Sequence, residues 1–173
     1  MKSLFTPWRY AYLVSPKTQT AQCIFCEANA ANQDESTLVV YRGVHNFIIL
    51  NRYPYTNGHV MIVPNAHVAS PGGSTPAQRA EMIDLAATCE SILRDAYSAE
   101  GINVGMNLGK AAGAGVEEHY HMHVLPRWVG DTNFMAATAN TRIIPEDLAV
   151  TRLKLARALD ERLGAAPRGS RNV

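Results

Sequence analysis

Three histidines, His119, His121 and His123, stand at every second position of the stretch EEHYHMHVLPRWVGD, residues 117–131. Side chains two apart share one face of a β-strand, whereas a helix would scatter them. On a strand, neighbouring rings lie roughly 6.6 Å apart, at a rise of about 3.3 Å per residue. Tyr120, Met122, Val124 and Leu125 supply apolar partners, and Pro126 is expected to stop the strand. A neutral imidazole attacks phosphorus when one ring nitrogen is free and the other is held as a donor. A second ring beside it can donate to a phosphate or to a leaving group. The middle ring, His121, has neighbours on both sides and is the candidate nucleophile. A histidine row can also clip a metal, since imidazole is a common ligand, or be purely structural.

The loop NLGKAAGAG, residues 107–115, runs directly into this row. Glycines let backbone N–H groups converge on phosphate oxygens. The amides of Gly113, Ala114, Gly115 and Val116 are therefore candidates for stabilising charge in a transition state. Lys110 either adds charge there or faces solvent. Beyond the row, Trp128, Asp131 and Asn133 could close over a substrate. The Trp128 ring could stack on a base or pack within the domain. Arg127 reads as a phosphate contact or an exposed arginine, His45 as a surface residue, and His59 as structural or close to the row.

Cys23 and Cys26, in QCIFCEA, have chelate spacing. One such pair is half a site; a structural zinc takes four ligands, and His67 and His119 are candidates for the other two. A cysteine pair without metal is the alternative. Cys89 falls on the apolar stripe of a helix and reads as core.

The elements that must position these groups follow from periodicity and punctuation. LVVYRGVHNFIIL (38–50) reads as two strands with a turn near Arg42 and Gly43. HVMIVP (59–64) is a buried strand, and INVGMNLG (102–109) another. Residues 28–37 read as a polar connection. Thr75 caps a helix with Pro76 in its first turn; Met82, Leu85, Ala86, Cys89, Ile92, Leu93 and Ala96 form its apolar stripe. A second helix is expected over 145–163. Antiparallel strands with two helices among them make an α+β domain, and the absence of a G-x-G-x-x-G turn speaks against a doubly wound dinucleotide sheet.

Together these segments resemble the histidine triad superfamily. HYHMHVL matches its motif of alternating histidines and apolar residues. FIILNRYPYTNGHVMIVPNAH (47–67) is similar to its nucleoside-binding strand pair, and GMNLGKAAGAG to its phosphate loop. PWRYAYL, CIFC and PRWVGDTNFM are similar to a bacterial branch that includes diadenosine tetraphosphate phosphorylases and fragile-histidine-triad-like hydrolases. The resemblance spans about residues 4–163. It implies an antiparallel sheet of about five strands with two main helices, forming a homodimer. It further implies that His121 attacks the α-phosphorus of a nucleotide and is released from a covalent nucleotidyl-histidine by water or phosphate. His123 would contact the phosphate, Asn51 the ribose hydroxyls and Asn107 the phosphate, while Ile49 lines the base pocket. Zinc-bearing members use positions similar to Cys23, Cys26, His67 and His119, which makes His119 a ligand. Many family hydrolases carry a glutamine shortly before the first histidine. Here Gly113-Ala114-Gly115-Val116 offers no such side chain, which fits better with phosphate than with water as acceptor. Hydrolysis of dinucleoside polyphosphates or of nucleoside phosphoramidates, or a nucleotide-binding sensor, are the alternatives.

The bulk composition is compatible with this. The chain has 173 residues, 47% of them hydrophobic, and a net charge of +1 from 16 basic and 15 acidic side chains. That is one domain, expected over 1–163 with a mobile tail at 164–173. A binder of nucleic acid polymers would show a basic excess. No apolar run suits a signal peptide or a membrane span, and three cysteines do not make a disulfide framework, so a cytoplasmic protein is expected.

Overall fold

The computed structural model describes residues 23–31, 33–131 and 146–164. Residues 1–22, which include PWRYAYL, as well as Asn133, Pro145 and the tail beyond 164, lie outside them. Four helices and five strands follow in chain order: α1 (Ile24–Ala30), α2 (Asp34–Thr37), β1 (Val39–Arg42), β2 (Asn46–Leu50), β3 (Val60–Pro64), α3 (Pro76–Tyr97), β4 (Gly101–Met106), β5 (Met122–Arg127) and α4 (Leu148–Leu163). The strands form one antiparallel sheet in the order β1-β2-β3-β5-β4. This is the α+β architecture expected from the sequence, with α3 and α4 as its two main helices.

Strand alternation divides the side chains between the two faces. Val40, Ile48, Leu50, Val60, Ile62, Tyr120, Met122 and Val124 pack with Met82, Leu85, Cys89, Ile92 and Leu93 of α3 and Leu155 and Leu159 of α4. On the opposite face, Val39, Phe47, Ile49, Met61 and Val63 pack against Phe25 and Ala28 of α1. A register shift between Val39 and Tyr41 puts these two residues on opposite faces, Val39 with Ile49 and Tyr41 with Ile48. Thr75 caps α3 as expected, and the structure adds a capping box: the Thr75 hydroxyl accepts from the Gln78 amide, and the Gln78 side chain accepts from the Thr75 amide. Gly58, at φ +75°, admits the Tyr97 ring and Leu93 so closely that an added Cβ would lie 2.8 Å from the Tyr97 ring.

Three expectations are corrected. Residues 28–37 are not merely a connection: their first part ends α1, and 34–37 form α2. Pro126 does not stop β5, which continues to Arg127. Pairing of β3 with β5 ends at Val60 opposite Val124, so the last residues of β5 have a ladder only on the β4 side, and a missing N–H is tolerated there. The last helix starts at Leu148, where the Asp147 carboxylate caps the Ala149 amide at 2.7 Å. No described helix is long and apolar enough to cross a membrane.

Candidate functional site

The three histidines do share one face, opposite Tyr120, Met122 and Val124. Only His123 lies within the ladder of β5; His121 directly precedes the strand and His119 stands at a bend before it. Each ring has a different task, set by its hydrogen bonds.

His119 is fully buried and its Nε2–H donates to the Pro64 carbonyl at 2.9 Å. Its Nδ1 therefore carries the lone pair, which faces Cys23 Sγ at 3.4 Å and Cys26 Sγ at 3.6 Å. His67 Nδ1 lies 3.4 Å from Cys26 Sγ. All four donor atoms fall within 4.8 Å of one another. A tetrahedral zinc with bonds of about 2.3 Å to sulfur and 2.0–2.1 Å to nitrogen sets donor atoms about 3.5 Å apart, so this group matches the expected foursome. The bond to Pro64 supplies the outer-shell acceptor that fixes a ligating imidazole. Burial and the neighbouring Cys23 raise the Cys26 thiol above its ordinary range, so a cation is what would hold both sulfurs as thiolates.

His121 is buried and sits between two rings. Phe25 lies at 4.9 Å on one side and His123 at 4.9 Å on the other, centroid to centroid. Its Nδ1–H donates to the His119 carbonyl at 3.2 Å, leaving Nε2 with the lone pair. Burial lowers its pKa, opposed by that backbone bond, so the ring is neutral near pH 7.

His123 is half-buried, and burial together with the His121 charge pushes its pKa down to about 4. Its Nδ1 lies 3.0 Å from His59 Nε2. The Tyr55 amide donates to His59 Nδ1 at 3.1 Å, so His59 carries its proton on Nε2 and donates it to His123. His123 is thereby held as the tautomer with hydrogen on its own Nε2. The Tyr55 ring stacks on His123 with centroids 6.1 Å apart and lies tilted against His59 at 4.7 Å. The row thus presents a lone pair on one ring and a neutral donor on the next.

A family model for the HIT domain matches residues 32–129. The chain belongs to the HIT domain family. A protein named AP-4-A phosphorylase from Mycobacterium tuberculosis is 35% identical over 162 residues, covering 90% of this chain and 83% of its own. Protein hit of Bacillus subtilis is 30% identical over 128 residues, covering 73% of this chain and 86% of its own. The solved structure of a Zn-bound histidine triad family protein from Mycobacterium smegmatis superposes with a TM-score of 0.65 at 27% identity, covering 82% of this chain and 96% of that one.

Elsewhere in this HIT domain, the remaining expected residues fall in three places. Ile49 lies on the face shared with Phe25. Asn51 follows β2; its Oδ1 accepts from the Tyr53 amide at 2.9 Å, and its Nδ2 lies 3.4 Å from His59 Nδ1. Asn107 opens the glycine loop after β4. Within that loop residues 110–112 make a 3-10 turn, and Gly113 is left-handed at φ +86°. The Gly113 amide donates to the Lys110 carbonyl and the Ala114 amide to that of Gly109. Two of the four amides expected to converge on a ligand are thus engaged within the turn. Val116 packs against the Phe25 side of the sheet. Trp128 uses its indole N–H on the Tyr97 carbonyl, 3.1 Å away at the end of α3. Arg127 forms a two-pronged pair with Asp131 and also reaches Asn103 at 2.7 Å.

Sequence reasoning left Tyr55 and Phe25 without a role, and of the two readings open for His59, structural or close to the row, the structure shows the second. For His59 a signal existed. Met61 stands opposite His123 in the β3–β5 register, and His59 shares the parity of Met61, so both histidines face the same side.

Proposed function

We propose that this HIT-domain chain is a nucleotide-binding enzyme that cleaves diadenosine polyphosphates, converting diadenosine tetraphosphate and phosphate to ATP and ADP. The observation that carries this reading is the hydrogen bond from His121 Nδ1 to the His119 carbonyl, which leaves Nε2 as a free nucleophile. His121 Nε2 attacks the α-phosphorus; an N–P bond forms, the P–O bond to the departing ATP breaks, and an adenylyl-histidine remains. A phosphate oxygen then attacks the same phosphorus, the P–N bond breaks, and ADP leaves. His123, neutral at pH 7 and with its proton directed away from His59, donates to the phosphate oxygens.

Asn51 would hold the ribose, with Ile49 and Trp128 beside the base. Asn107 and the loop backbone at Gly115 and Val116 would face the phosphates, the Gly113 and Ala114 amides being engaged within the turn. Because Gly113-Ala114-Gly115-Val116 brings no donor side chain, it supports phosphate rather than water as the acceptor. Removing one such donor without replacement costs on the order of 10²–10³ in rate. The AP-4-A phosphorylase of Mycobacterium tuberculosis, similar over most of this chain, supports the same substrate. Zinc would be held by Cys23, Cys26, His67 and His119, tying the start of the domain to the sheet without touching substrate. The edge strand β4, with Val104 half exposed and Leu108 beside it, offers the surface for a homodimer.

Purified protein incubated with diadenosine tetraphosphate is expected to release ATP and ADP only when phosphate is present. AMP and ATP formed equally well without phosphate would make it a hydrolase. His121→Ala is expected to lower kcat by at least about 10³-fold, with AMP binding kept.

A further inference from the structure

Phe25 lies between the two cysteines in sequence and against two histidines in space. Its buried ring meets His121 at 4.9 Å and 54°, and His119 edge-on at 5.5 Å and 79°. His123 closes the other side of His121, and the His119 carbonyl fixes its Nδ1. Phe25 is therefore one of the walls that set the direction of the His121 lone pair.

The wall stands on α1, a helix of seven residues, too short to persist unaided in water. Two ties hold it. At its start are the sulfurs of Cys23 and Cys26, facing His119 and His67. At its end is Arg42 of β1, whose guanidinium donates to the carbonyls of Ala28, Asn29 and Ala31 and pairs with Asp34 at 2.6 Å. With the first tie undone, the contacts left at the helix start among the described residues are the apolar ones of Phe25 and Ala28.

We propose that Phe25 is a positioning residue that links occupancy of the Cys23–Cys26–His67–His119 site to the orientation of His121. The inference rests on His121 being the nucleophile. An ion there need not touch the phosphate: it holds α1, α1 holds Phe25, and Phe25 holds the ring. The link acts on kcat and leaves ground-state nucleotide binding alone.

The test uses zinc-loaded full-length protein, with zinc content, AMP affinity, turnover of diadenosine tetraphosphate, and ¹⁵N signals of the His121 ring measured in parallel. Phe25→Ala is expected to keep one zinc per chain and to bind AMP within about twofold of the parent. It should lose about tenfold in kcat and broaden the His121 signals, because small misplacements of a reacting group are costly. Chelation of the parent should reproduce both changes, while chelation of Phe25→Ala adds less than about twofold, as expected for two steps of one path. Equal losses on chelating both proteins overturn the link. So does a weakened AMP affinity at unchanged kcat, which makes Phe25 a wall of the nucleoside site instead. If circular dichroism finds either protein unfolded, zinc-loaded Phe25→Leu decides: a threefold fall in kcat with broadened signals supports the link, and parental values refute it. His121→Ala separates the two levels. Parental turnover in that variant removes the nucleophile and the link together; a dead His121→Ala beside an unaffected Phe25→Ala removes the link alone.

Discussion

The two faces of the sheet are stabilised by different means. The face under α3 and α4 is a broad apolar core to which two long helices contribute Met82, Leu85, Ile92, Leu93, Leu155 and Leu159. Among the described residues, the face that carries the histidines is covered by one short helix and a narrower cluster around Phe25 and Phe47. It is held instead by directed bonds: the cysteine–histidine group, the Arg42 fan and the His59–His123 relay. An apolar core stabilises by close packing over a wide area, whereas a reacting ring needs a fixed direction. The proposed chemistry sits on the face where directed polar contacts supply that direction.

This contrast can be broken most forcefully from the helical side. Leu93→Ala should cost about 2–5 kcal/mol of global stability, read from the denaturant midpoint, with zinc content unchanged. A loss below about 1 kcal/mol would mean that the helical core is not dominant. Next, Arg42→Ala should cost about 1–3 kcal/mol, by leaving helix-end carbonyls and Asp34 without their partner. Its effect should be largest locally, as faster hydrogen exchange in α1 and faster zinc release to a chelator, with a smaller fall in the midpoint than in Leu93→Ala. Tyr120→Phe is a finer probe of the helical side, where the Tyr120 hydroxyl meets Ser74 Oγ at 2.9 Å. Its loss should cost about 1 kcal/mol and leave turnover unchanged.

The last effect is spread over pH rather than placed at one contact. Burial lowers the pKa values of His119, His121 and His123, the last to about 4. The unfolded chain takes up protons below its ordinary value of about 6.5 while the folded chain resists. Their contribution is thus complete above pH 6.5 and is lost as pH falls towards 4. The denaturant midpoint should decline over that window, more gently in His123→Asn. A midpoint flat from pH 7.5 to 4.5 would contradict neutral, buried rings.

Much of this was legible in the chain. The alternation of His119, His121 and His123 forecast a shared face, Thr75 and Pro76 forecast the start of α3, and CxxC with His67 and His119 forecast the donor group. What was hidden depends on distant partners. Helix α1 is too short to show a period, and its end is fastened by Arg42, 11 positions beyond Ala31. The strand survives Pro126 because β3 has already ended there, which only the register reveals. The direction of the His123 proton depends on Tyr55 and His59, brought close by a turn between strands.

The donors of the cysteine–histidine group come from far-separated stretches: Cys23 and His119 are 96 positions apart. During synthesis both thiols therefore leave the ribosome long before the imidazole that completes their set. The amino-terminal segment must wait, its sulfurs open to oxidants, until the histidine row emerges. The sheet and its helices are then best placed to assemble first, with the docking of this segment as a late step in maturation.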